Sequence, residues 1–265
     1  MKTNNQSRGL ALLALPFLLA ILSACRPEAK GSDWQTVLID EATTVGDSVH
    51  ISIAMPEYSY GHPAEDAMEQ LNELLGGMYE GSYNRPDSLA RHYANLYLAQ
   101  LQADRTDLGE NLPTMPYLRT LDFDCIYTTA RVITYRLQLY EYTGGAHGLA
   151  HIVGLTLRKR DGRRIGLDVF NDRRGDSAWN QMLLDGLMQY FEVGTEDELA
   201  AVLFNPEDAR LAPMPQTEPY FTADGLTFVY QSYEIAPYAA GQPTFTIPYE
   251  QLRPYFNITG RRLFE

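Results

Sequence analysis

The spacing of apolar residues changes at Tyr117 from a repeat of three and four to a repeat of two, and that switch sets the fold class. Before it, Ala67, Met68, Leu71, Leu74 and Leu75 mark one helical face that opens at Pro63 and stops at Gly76-Gly77. Pro86-Asp87-Ser88 opens a second helix, with Leu89, His92, Tyr93, Leu96 and Gln100 or Leu101 as its buried stripe. After the switch, strands are predicted near 118–128, 130–142 and 149–160, joined as an antiparallel meander. In the second of these, Ile133, Tyr135, Leu137 and Leu139 face one side while Arg131, Thr134, Arg136 and Gln138 face the other. Asp161-Gly162 predicts a two-residue hairpin, after which the chain returns through Ile165, Leu167 and Val169.

The remaining segments extend this pattern. Val37 to Ala42 and Ser48 to Met55 read as a hairpin turning through Val45-Gly46-Asp47 and closed by Pro56. Trp179, Met182, Leu183, Leu187, Tyr190 and Phe191 form one helical face, and Thr195 with Glu198 spells a capping box for the next helix. Strands follow at about 226–235 and 243–248, then a short helix from Pro248 or Tyr249. Runs of strands separated by blocks of two helices specify an α+β protein, antiparallel sheets packed against helices, in two intertwined or adjacent subdomains, 36–145 and 146–265. Strands and helices do not alternate regularly, which argues against a parallel dinucleotide-binding sheet.

The first 24 residues read as a lipoprotein signal peptide. Lys2 and Arg8 precede a thirteen-residue apolar run, Leu10 to Leu22, and the run ends in Leu22-Ser23-Ala24-Cys25. A spanning helix needs about twenty apolar residues, so the run is too short to cross a bilayer. The pattern resembles the bacterial lipobox, which implies acylation of Cys25 and cleavage before it. Residues 25–35 then serve as a polar tether, and the expected location is extracytoplasmic, on the periplasmic side of an outer membrane, because Arg26-Pro27-Glu28-Ala29-Lys30 lacks an acidic surface-export tag. Losing Lys2 and Arg8 takes the formal charge from -13 to -15. So acidic a chain does not seek nucleic acid, and it is expected to hold the bilayer through its acyl chains alone. With Cys25 acylated, Cys125 has no disulfide partner; its place among Leu121, Phe123 and Tyr127 predicts a buried, inert thiol.

Two stretches carry a family pattern. One is Tyr142-Thr143-Gly144-Gly145-Ala146-His147-Gly148, followed by Asp161-Gly162-Arg163 and Leu167-Asp168-Val169-Phe170. The other runs from Phe221-Thr222-Ala223-Asp224-Gly225-Leu226-Thr227-Phe228 through Tyr233-Glu234-Ile235-Ala236-Pro237-Tyr238-Ala239-Ala240-Gly241 to Ile247-Pro248-Tyr249. Together they resemble the extracytoplasmic region shared by the lysozyme-sensing anti-sigma factor RsiV and the non-catalytic part of the peptidoglycan deacetylase PdaC, a pair of domains of unknown function. The resemblance implies an envelope-facing α+β module that, in one member, grips a muramidase. It does not extend to an anti-sigma segment, a membrane-spanning helix or a deacetylase domain.

Candidate chemistry is sparse. Gly144, Gly145 and Gly148 give the backbone around His147 unusual freedom. His151 is four residues on, roughly 13 Å away in a strand, too far to share one zinc, so no metal or other cofactor is expected. Glu234, between Tyr233 and Tyr238, is the carboxylate a hydrolase would use beside His147; equally, it could accept bonds from turn amides. Asp47-Ser48-Val49, Asp87-Ser88 and Asp176-Ser177 also fit an Asp-Ser glycosylation pattern, although helix capping explains the last two. Tyrosine is in excess, eighteen against ten phenylalanines, and rings with a polar tip suit recognition surfaces. The leading expectation is a binding module for a lysozyme-like protein or a peptidoglycan-type glycan, using Gly144, Gly145, His147, Glu234 and Tyr238. A glycan-active hydrolase using His147 or Glu234, and a structural envelope protein without a soluble ligand, are the alternatives.

Overall fold

The structure is a computed structural model and describes residues 34–43, 46–56, 63–107, 115–171 and 177–265. The leader, Cys25, most of the tether, the tip of the first hairpin and Asp176 lie outside the described residues.

Strands β1 (Trp34–Ala42) and β2 (Ser48–Pro56) form the predicted hairpin, pairing Ala42 with Ser48, and β1 takes in Trp34 and Gln35 at its start. Two helices follow, α1 (Pro63–Leu74) and α2 (Pro86–Asp107). The chain then runs through β3 (Leu118–Thr128), β4 (Val132–Tyr142), β5 (Leu149–Arg158) and the short β6 (Arg164–Ile165). These six strands make one sheet in sequence order. It is antiparallel except between β2 and β3, which run parallel. The parallel pair departs from the expected all-antiparallel arrangement because α1 and α2 form a crossover that returns the chain to the end where β2 began.

Alternation places Ile51, Ile53, Leu121, Phe123, Ile133, Tyr135, Leu137, Leu155 and Leu157 on one face, where Met68, Leu71, Leu89, Tyr93 and Leu101 of the two helices bury them. Cys125 joins this core, and burial pushes its thiol up to about 12, which keeps it protonated and unreactive. The α2 stripe includes Tyr97 and excludes Gln100, which is exposed; from Tyr93, the four-residue step to Tyr97 continues the buried row. The Asp161-Gly162 signal marks a wider turn than expected, since residues 159–163 all lie between β5 and β6 and Gly162 takes φ +66°.

A second core begins at Ile165. Helix α3 (Ser177–Phe191) and helix α4 (Glu196–Val202) pack on a three-stranded antiparallel sheet of β7 (Tyr220–Phe221), β8 (Gly225–Val229) and β9 (Thr244–Pro248). The capping box at α4 is present in full, Thr195 Oγ1 accepting from the Glu198 amide and the Glu198 carboxylate from the Thr195 amide. The last elements are α5 (Tyr249–Leu252) and α6 (Ile258–Phe264), with Asn257 capping α6. The strand expected over 226–235 stops at Val229, because residues 231–234 fold into a turn.

The two cores meet across the far face of β4 and β5. Thr134, on the face opposite the first core as expected, is nevertheless fully buried; its hydroxyl lies 2.9 Å from that of Thr156, which accepts the Phe221 amide at 3.0 Å. Gly154 leaves room for the Tyr220 ring, since a Cβ there would stand 1.8 Å from it. Residues 149–158 therefore pack with the first core on one face and touch the second on the other.

Candidate functional site

β5 is bonded to β4 along its length but to β6 only at Thr156 and Leu157, so its outer edge near Ile152 needs other partners. The Gln231 side chain supplies them, its Oε1 accepting the Ile152 amide at 3.0 Å and its Nε2 donating to the Ile152 carbonyl at 2.8 Å. A primary amide thus stands in for a strand residue. Gln242 Nε2 extends the patch by donating to the Ala150 carbonyl and to Gln231 Oε1.

Beyond Gln242, the edge ends in the glycine-rich connection between β4 and β5. Gly144 and Gly145 take φ of 96° and 90°, so the connection turns in a region side chains avoid. Gly148 is excluded from bearing a side chain for another reason: a Cβ would lie 2.3 Å from the Tyr140 hydroxyl. This geometry exposes His147 while keeping its ring tied down. Nδ1 lies 3.1 Å from the Gly148 carbonyl, which can only accept, so in the neutral imidazole Nδ1 carries the proton and Nε2 accepts from the Tyr233 hydroxyl at 3.1 Å. Tyr238 stacks on the same imidazole, with centroids 3.6 Å apart and planes 13° from parallel, and donates its hydroxyl to the Gly148 carbonyl at 2.8 Å. Tyr233 and Tyr238 stand 5.6 Å apart, so three rings form one ledge.

The structure brings His147 and Tyr238 together on this ledge and places Gly144 and Gly145 in the turn behind them. Glu234 it commits elsewhere. One carboxylate oxygen accepts the Gln216 amide at 2.7 Å and the other the Gln231 amide at 2.6 Å. The carboxylate thus closes a turn in the way the turn-amide alternative requires. Burial lowers the proton affinity of His151, partly offset by Glu234. Among the described residues no group of three or more His, Cys, Asp or Glu side chains is placed to hold a metal ion.

Sequence reasoning passed over Tyr233. It is half exposed, and it takes φ +67° as the third residue of the turn Gln231–Glu234, a position glycine ordinarily fills. For a bulky residue that conformation costs on the order of 1–2 kcal/mol. The other non-glycine residue with positive φ among the described residues, Glu192, closes a helix, where such geometry is common. The signal was a missing glycine at a turn, legible only once the turn is known.

A hollow of about 390 Å³ opens elsewhere, lined by Glu65, Asp66, Glu69, Ser82 and Tyr83. Three of its five lining residues are carboxylates of α1.

Comparison with known proteins places this geometry. Among curated proteins none matches the chain. A solved DUF3298-family structure from Bacteroides fragilis NCTC 9343 is 24% identical, with a TM-score of 0.67, and the match covers 85% of this chain and 93% of that one. A second, from Pseudomonas aeruginosa PAO1, is 17% identical at a TM-score of 0.54, covering 85% of this chain and 94% of the other. The fold is thus shared with solved DUF3298-family proteins, and residues 168–250, which include Tyr233, Glu234 and Tyr238, match the family model described as "Protein of unknown function (DUF3298)".

Proposed function

We propose that this chain is a lipid-anchored recognition module of the cell envelope, held through acyl chains on Cys25 at the periplasmic side of the outer membrane. Its ligand is a peptidoglycan-type glycan or a lysozyme-like protein, bound at the ledge of His147, Tyr233 and Tyr238. The observation that carries the reading is the ledge itself: three rings presented at the surface, with polar edges, on a backbone fixed by carbonyl and amide bonds. Rigid aromatic side chains with polar tips bind sugars and proteins at low entropic cost.

Further support comes from three directions. Both Glu234 oxygens are occupied by backbone amides, which favours recognition over hydrolysis. No helix among the described residues is long and apolar enough to cross a membrane, and the lipobox resemblance offers an acyl anchor instead. The resemblance to the RsiV and PdaC extracytoplasmic regions fits an envelope ligand, and the formal charge of -15 left after loss of Lys2 and Arg8 would draw in a basic lysozyme.

Co-sedimentation with peptidoglycan sacculi and pull-down with lysozyme test the ligand. Wild type is expected to bind one of them, and Tyr238→Ala to bind about tenfold more weakly, in line with loss of an aromatic anchor. Binding to neither overturns the reading. If lysozyme is the ligand, its association rate should fall as salt rises. Metabolic labelling with palmitate should mark wild type and not Cys25→Ala; an unlabelled wild type removes the anchor.

A further inference from the structure

We infer that Tyr233 is the specificity-determining residue of the ledge and that Glu234 is its positioning residue, a clamp that forces the tyrosine into a backbone conformation it would otherwise leave. The inference rests on the recognition reading above and extends it.

The geometry is local and closed. Within the four residues Gln231–Glu234, the Glu234 amide donates to the Gln231 carbonyl at 3.0 Å while the Gln231 amide donates to a Glu234 carboxylate oxygen at 2.6 Å. Backbone and side chain of Glu234 therefore grip the first residue of the turn from both directions. Its second oxygen holds the Gln216 amide at 2.7 Å, which pins the turn to the neighbouring segment. Gln231 cannot yield, because its side chain is bonded to both backbone groups of Ile152 on the β5 edge. Between two fixed ends, Tyr233 is left with φ +67°.

Little burial offsets that strain. The Tyr233 side chain is not part of either core; the residue is 50% exposed, and its hydroxyl bonds an exposed histidine. A strained residue that buries little points to a use for what it presents. What it presents is a ring 6.2 Å from His147 and 5.6 Å from Tyr238, tilted 38° and 35° to them. Tyr238 and His147 lie nearly parallel, so Tyr233 is the one wall inclined to that flat pair. A ligand with a flat apolar face, such as the pyranose of a peptidoglycan glycan, would lie against the angle between them.

Two variants decide the clamp without a ligand. Tyr233→Gly is expected to raise the Tm by about 2 °C, because glycine takes positive φ freely. A fall in Tm would mean that ring contacts retain Tyr233, and would overturn the inference. Glu234→Ala is expected to shift the ring-nitrogen NMR signals of His147 as the Tyr233 hydroxyl leaves Nε2, with Glu234→Gln, which keeps one acceptor oxygen, falling between. Unchanged His147 signals overturn it as well. Sacculus co-sedimentation then tests use: Tyr233→Gly and Glu234→Ala should each lose at least about tenfold in affinity relative to wild type. Variants that bind sacculi as wild type does overturn the inference and leave the recognition reading standing. A wild type that binds neither sacculi nor lysozyme overturns both.

Discussion

The two cores are held by different means. In the first, strands of nine to eleven residues and two helices bury a periodic apolar set on a six-stranded ladder, with the buried side chains of Asn72 and Asp47 tying down its connections. In the second, strands run only two to five residues, and long connections are tied down one side chain at a time. Asn180 holds Arg210 and Ala212, Tyr230 reaches the Pro213 carbonyl, Tyr190 that of Ala240, and Asn257 that of Asp168. A ladder fixes a surface by repetition and makes it flat. Singular bonds can fix an irregular surface, and the ledge stands where the irregular half meets an edge of the regular one.

The largest expected effect lies in the regular half. Phe123 is fully buried and stacks on Tyr135 at 4.9 Å, so Phe123→Ala should cost about 4 kcal/mol of unfolding free energy in a denaturant titration. The loss should appear in the whole transition, since the ladder spreads it through the sheet. A loss confined to local hydrogen exchange would break the contrast between the halves.

Next is the seam. Gly154→Ala would drive a methyl into the Tyr220 ring and should cost about 2–3 kcal/mol. Because β5 serves both cores, the two should still unfold together. Separate transitions in this variant would show that the seam alone couples them.

A polar residue in the irregular half should cost less and more locally. Gln231 is 7% exposed and makes four side-chain bonds, to both backbone groups of Ile152, to Thr217 and to Gln242. Gln231→Ala should cost about 2 kcal/mol and should selectively speed hydrogen exchange of the Ile152 amide. A global loss as large as that of Phe123→Ala would erase the distinction.

This distinction also sets how much was legible beforehand. Period and punctuation suffice for the first half: the β1–β2 hairpin, both helices and the β3–β5 meander follow from spacing, and Cys125 falls on the apolar side of its strand as alternation requires. What alternation could not reveal was the second layer over β4 and β5, where Tyr220 and Phe221 lie across the face that carries Thr134 with Arg136 and Gln138. In the second half, a capping box was readable because it is a local rule. The turn at Gln231–Glu234 was not, since its bonds run to Ile152 and Gln216, far away in sequence, and the left-handed residue is a tyrosine. His147 and Tyr238 could be singled out by glycine context and composition. Their stacking depends on the edge of β5, which no local pattern encodes.

The smallest effect concerns the face of the first sheet opposite its helices. Asp122 sits on the face opposite the helices, level with Ser52 and Gln138, near His50, Asp124 and Arg136. Partial burial raises its proton affinity, and the repulsion of Asp124 adds to this while His50 and Arg136 oppose it. A carboxyl whose folded pKa lies above its unfolded value binds more protons folded than unfolded, so it disfavours the fold as pH rises through the folded value. Below the usual carboxylate range both states are protonated relative to neutral pH, and that disadvantage is absent. Asp122→Asn should therefore raise the Tm at pH 7 by about 1 °C, and the difference from wild type should shrink as pH falls toward 4. A difference that grows on acidification would mean that the charged form is held by His50 and Arg136 more strongly than burial opposes it, making this face a paired electrostatic surface like the ion pairs elsewhere on the sheet rather than a partly desolvated one.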